Sequence, residues 1–391
     1  MKLIKFSSRP NMKYLVHLVI WTFVQDITQV GIEIIFKFNL ELTYLLISFL
    51  AEFICGGIAY LYQKKTIKRK NSKSLDSFIG IKLIINDKIK IYDSKGKIYF
   101  LIIIAAFFDF VEFVIYVKLA PYLVHCSTSL GKRYRGILII FDAFFYRYIL
   151  KLEIFKHQRF SLLVLSICLI ITVGIEFIFQ DVDIFLTYGK FALLLFLLIV
   201  DGFFYSLVDV IDKYLFEYDY MNPFKVLMLE GVFGLCFGIG YSIYDSFFIS
   251  IKKYYDNCST SEFVYLILSL ILYLVLSGVQ DTFRAVTTKI YSPMASSLSE
   301  FFLNPVYIIF SLFLENDFIH NNKRNYLYFS LNLLITIFVS ICGCVYNEFI
   351  ILFFWGLQHE TYKEISYRAA LPNDNCQLYD MNDCEDEESN V

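Results

Sequence analysis

Long apolar runs separated by short polar stretches set the pattern of this chain. Ten segments are long enough to cross, as helices, a hydrocarbon layer about 30 Å thick: 13-34, 43-63, 98-118, 124-150, 160-180, 187-210, 225-249, 262-285, 291-314 and 326-355. The first, fourth and ninth are interrupted by polar residues, and the pattern defines their limits least sharply. It predicts an all-α polytopic membrane protein with ten transmembrane helices.

Composition agrees. Of 391 residues 58% are hydrophobic and 18% charged, with 42 Phe and 30 Tyr, which excludes an ordinary soluble domain. The nine cysteines are scattered singly, most of them inside apolar runs, with no zinc or redox-motif spacing, so free thiols are expected. Lys2, Lys5, Arg9 and Lys13 precede an apolar run, as in a secretory signal, but Gln25, Asp26 and Gln29 follow in place of a small-residue cleavage site. A retained first span is expected.

The near-neutral net charge of -2 hides strong local asymmetry. Residues 64-97 carry eleven basic side chains against Asp76, Asp87 and Asp93, whereas residues 356-391 carry nine acidic and two basic ones. The first stretch reads as a positive-inside cytoplasmic loop, and the second as a solvated, disordered tail. With the N-terminus inside, Lys213, Lys225, Arg284 and Lys289 also fall on inside connections, and an even span count puts both termini in the cytoplasm. The organisation expected is a cytoplasmic N-terminus (1-12), a first five-helix repeat (13-183), a second (184-355) and the acidic tail (356-391). Asn257-Cys258-Ser259 forms a glycosylation sequon on the non-cytoplasmic side of this topology. Gly231, Gly234 and Gly238 recur at spacings of three and four, a small-residue face for close helix packing.

The candidate chemistry lies in the spans. If 124-150 is one helix, His125, Thr128, Ser129, Lys132 and Arg135 form one stripe, continued by Asp142, with Arg133 about 100° away. Cations in hydrocarbon cost several kcal/mol, roughly 2.5 to 3.5 each on insertion scales, so they face a cavity or a partner. The alternative is a short exposed basic turn snorkelling to headgroups. Lys132, Arg133 and Arg135 are the expected substrate-binding residues, pairing with phosphate or carboxylate. Acidic residues are spread through the spans, and Glu52, Asp142, Glu230 and Glu300 are expected to balance charge or couple protons. His17, His125, His157, His320 and His359 are isolated from one another, and no phosphate loop or nucleophile elbow is present, so neither a metal, a cofactor nor an enzyme activity is expected.

Four stretches carry a family likeness: Phe49 to Cys55 with Glu52; Arg135-Gly136 with Ile137 to Phe141; Asp212-Lys213, Asn222-Pro223 and Glu230 to Gly234; and Ser292 to Pro305 with Glu300. In them the chain resembles the drug/metabolite transporter superfamily with EamA-type repeats, and within it the F-type, nucleotide-sugar-transporter-like members of solute carrier family thirty-five. The resemblance implies ten helices in two five-helix repeats and alternating access in an endomembrane (Golgi, endosome or lysosome) or the plasma membrane. Ser296 and Leu303 depart from it, standing where related sequences often carry arginine.

The function expected is secondary transport of a polar, anionic metabolite such as a nucleotide conjugate. The alternative is a non-transporting scaffold or receptor acting through the basic loop and acidic tail. The partners expected are a small-molecule solute, the lipid bilayer and, in a homodimer, a second copy, with no nucleic acid.

Overall fold

A computed structural model describes residues 4-6, 12-36, 41-70, 95-125, 136-151, 154-179, 188-244, 259-291 and 323-361. The elements in chain order are β1 (Ile4–Phe6), α1 (Met12–Phe36), α2 (Glu41–Lys70), α3 (Lys95–His125), α4 (Gly136–Tyr148), α5 (Lys156–Phe179), α6 (Tyr188–Glu217), α7 (Pro223–Tyr244), α8 (Thr260–Ile290), α9 (Lys323–Tyr346) and β2 (Ile350–Leu352), followed by a 3₁₀ turn at Leu357–Glu360. Seven of these helices, α1, α2, α3, α5, α6, α7 and α8, are long and apolar enough to cross a membrane. The chain is therefore an integral membrane protein by its helices, and large apolar side chains such as Ile58, Ile170 and Ile243 face outward from the bundle.

Local sequence explains the ends. Asn222 caps α7, accepting at Oδ1 a hydrogen bond from the Phe224 N–H (3.0 Å), with Pro223 as the first helical residue. Ser259 caps α8 in a reciprocal box: its hydroxyl accepts from the Glu262 N–H at 3.2 Å, and the Glu262 carboxylate accepts from the Ser259 N–H at 2.9 Å. The sequon's serine is thus a helix cap, and Asn257 lies outside the described residues.

Two boundaries correct the expectation. The helix beginning at Lys95 does not stop near residue 118; it continues through Pro121 to His125. Leu119 remains buried against Leu194 and Leu198 of α6, and such burial offsets the backbone hydrogen bond that proline cannot donate. His125 consequently belongs to α3, and the other members of the expected stripe from Thr128 to Arg135 lie outside the described residues. The tenth apolar run is not helical to residue 355 either. The helix α9 ends at Tyr346, Glu348 takes a left-handed φ of 59°, and β2 then pairs antiparallel with β1 in the register Ile4↔Leu352, Lys5↔Ile351, Phe6↔Ile350. Nearby, buried His157 at the start of α5 and buried Glu348 lie 3.3 Å apart.

Helix α2 is the centre of the packing, set against α7 on one side and α8 on another; α3 packs on α6 and α7, α1 on α8, α4 on α6, and α5 on α9. The glycines make this close approach possible. A Cβ on Gly231 would lie 2.5 Å from the Phe53 amide nitrogen, Gly234 sits directly on the Phe49 ring, and Gly278 of α8 abuts Cys55. Phe49 is 2% exposed within a cluster with Leu42 and Leu45.

Candidate functional site

Five of these helices send polar side chains to one place. Glu52 from α2, Asp109 from α3, Asp212 from α6, Glu230 from α7, and Asp281, Arg284 and Thr288 from α8 line a single small cavity, closed on its apolar side by Val208, Leu227 and Ala285. Ser277, Asp281, Arg284 and Thr288 recur at spacings of four, three and four, so one stripe of α8 faces the cavity. On α6, Asp209, Asp212 and Lys213 lie at spacings of three and four, and Asp212 lines the cavity.

The cationic groups have defined partners. An Arg284 Nη2 hydrogen donates to Asp209 Oδ1 at 2.7 Å, and the guanidinium lies over the Tyr205 ring, 4.4 Å from its centroid. Lys213, only 2% exposed, donates through Nζ to the carbonyls of Thr288 (3.1 Å), Lys289 (3.0 Å) and Tyr291 (3.2 Å), and pairs with Glu217 at 2.8 Å. It therefore closes the C-terminal end of α8, where the helix leaves carbonyls without amide partners and the macrodipole favours a cation. The same helix end carries Thr288 into the cavity, so Lys213 positions the stripe that Arg284 and Asp281 belong to.

The acids differ. The Ser277 hydroxyl donates to Asp281 Oδ2 at 3.3 Å, but Glu52 Oε2, Asp212 Oδ1 and Glu230 Oε1 are buried without a hydrogen-bond donor. Glu230 is 7% exposed, and Asp212 is its close carboxyl neighbour. Two like unit charges about 4 Å apart repel by about 4 kcal/mol at an effective dielectric near 20. The described lining, with five carboxyls and one guanidinium, thus suits positive charge. Among the described residues no group of three or more His, Cys, Asp and Glu side chains could hold a metal ion.

Of the residues expected from sequence, Glu52 and Glu230 meet in this cavity. Asp142 does not join them: it is fully buried in α4, a helix that packs on α6 and accepts there a hydrogen bond from Ser206 to the Leu138 carbonyl at 3.0 Å. Lys132, Arg133, Arg135 and Glu300 lie outside the described residues. Arg284 and Lys213, expected on inside connections, are instead part of the helical interior, because α8 runs to Ile290 and α6 to Glu217. The signal for Arg284 was its spacing of three from Asp281 and four from Thr288.

No protein-family model matches the chain, and no curated protein matches it.

Proposed function

We propose that this protein is a secondary membrane transporter working by alternating access, with the cavity between α2, α3, α6, α7 and α8 as its polar centre. The observation that carries the reading is the convergence of Glu52, Asp109, Asp212, Glu230, Asp281 and Arg284 from five helices inside an otherwise apolar bundle. Charged groups at that depth are costly and belong to solute or ion pathways.

Helix packing supports a two-repeat, ten-helix layout. Exchanging each helix with the one five places on turns the contact of α1 with α8 into that of α6 with α3, turns α2 with α8 into α7 with α3, and leaves α2 with α7 unchanged. The pairing of β1 with β2 requires an even number of crossings between them. Both features suit the resemblance to EamA-type carriers, with termini in the cytoplasm and residence in an endomembrane or the plasma membrane; a homodimer is compatible with this layout.

An anionic solute was expected from Lys132, Arg133 and Arg135. Those three lie outside the described residues, and the described lining of the cavity suits protons and neutral or positively charged polar groups. Counterflow in proteoliposomes tests this with nucleotide sugars and with aliphatic diamines as the labelled solutes. Saturable exchange of diamines, lost in Glu52→Gln, is the expected result. Exchange of nucleotide sugars alone would restore the anionic assignment, and no protein-dependent exchange of either would overturn the transporter reading.

A further inference from the structure

We propose that the cavity is a proton site in which Glu230, with Asp212 beside it, holds the coupling proton; the inference deepens the transporter reading and rests on it. Glu230 is more than nine-tenths buried, lines the cavity, and keeps one carboxyl oxygen, Oε1, without any donor. A carboxyl placed in that way lacks the hydrogen bonds that hold a buried carboxylate ionised. Its neighbours are mostly acidic. From α6 it faces Asp212, from α2 Glu52, from α3 Asp109, and from α8 Asp281 and Arg284, the last paired with Asp209 of α6.

Arg284 is the cation lining the cavity among the described residues, and its guanidinium is engaged by Asp209 and the Tyr205 face. One guanidinium cannot balance Glu52, Asp109, Asp212, Glu230 and Asp281 together. Among the described residues the lining therefore carries more acids than it has cations to pair with them. A divalent metal fits poorly, since no group of carboxyls, histidines and thiols among the described residues is arranged as a ligand shell. A proton needs no such shell, only two close carboxyls that cannot both ionise. Asp212 and Glu230 are such a pair, contributed by different helices, so any motion of α6 against α7 changes their separation and hence their hold on the proton. The proton enters from water on one face and leaves to water on the other, with no bond other than O–H made or broken.

Infrared-monitored pH titration of the full chain in lipid tests the site without a solute, so its outcome is separate from that of counterflow. A protonated-carboxyl C=O band at neutral pH that disappears on alkalinisation is expected, weakened in Glu230→Gln and in Asp212→Asn and unchanged in Glu262→Gln, which alters only the exposed cap of α8. The amides mimic the protonated acid, so both variants should match or exceed the wild-type Tm at neutral pH. No titrating carboxyl band, a band intact in both variants, or a lower Tm or loss of folding in both would overturn the proton site, even if solute exchange is seen.

Discussion

Lys213 joins two helices through one buried ammonium group. Its three carbonyl acceptors belong to the last turn of α8, and its fourth partner, Glu217, to its own helix. Replacing it with methionine keeps most of the side-chain volume but leaves those carbonyls unmet. Hydrogen bonds to charged groups are worth roughly 1.5 to 3 kcal/mol, and removing an ammonium also removes its desolvation cost, so a net loss of about 2 kcal/mol is expected. Thermal unfolding in detergent should show a lower Tm for Lys213→Met. Arg284 carries a different burden. Asp209 is 1% exposed, and Arg284→Met would take the guanidinium away from its buried carboxylate, with a cost of about 3 kcal/mol. Asp209→Asn made in the same chain should recover part of that loss; a double variant no more stable than Arg284→Met would show that the pair is not coupled.

At the scale of elements, α2 can lie between α7 and α8 only because each presents glycine to it. Gly234→Val should push the Phe49 ring out of place and broaden or abolish the monodisperse peak in size-exclusion chromatography, while Gly240→Ala, which meets open space, should leave it unchanged. Much of this was legible in the sequence. Seven spans and the Gly231 to Gly238 face follow from pattern alone, because a bilayer-length apolar run and a small-residue spacing need no tertiary information. Glu52 and Glu230 stood out as single acids in apolar surroundings. The extension of α3 past Pro121 was not legible, since proline and Lys118 read as a break until the burial of Leu119 against α6 is known. Arg284 was hidden for a related reason. Near the end of an apolar run a basic residue looks topogenic, and only the actual length of α8 brings it beside Asp209.

At the scale of the molecule, the β1–β2 ladder brings the two ends of the helical bundle together. Lys5→Cys with Ile351→Cys, in a background lacking the nine native cysteines, should cross-link within one chain on mild oxidation, because these positions face each other in the register. A faster-migrating band on non-reducing gels would report it, and its absence would remove the even-parity constraint on the crossings. The exchange of helices five places apart has a consequence for the cavity itself. In the proposed two-repeat layout it carries α2 onto α7 and α3 onto α8, so the cavity takes Glu52 and Glu230 from one exchanged pair of helices and Asp109 and Asp281 from the other, while α8 alone adds a cation, Arg284, among the described residues. A balance with identical pans would tip equally either way; here one pan holds a guanidinium in addition to its acids. On the proposed alternating-access reading the two halves bring unequal charge to the centre, and Arg284 is the weight that would set which way the empty carrier rests.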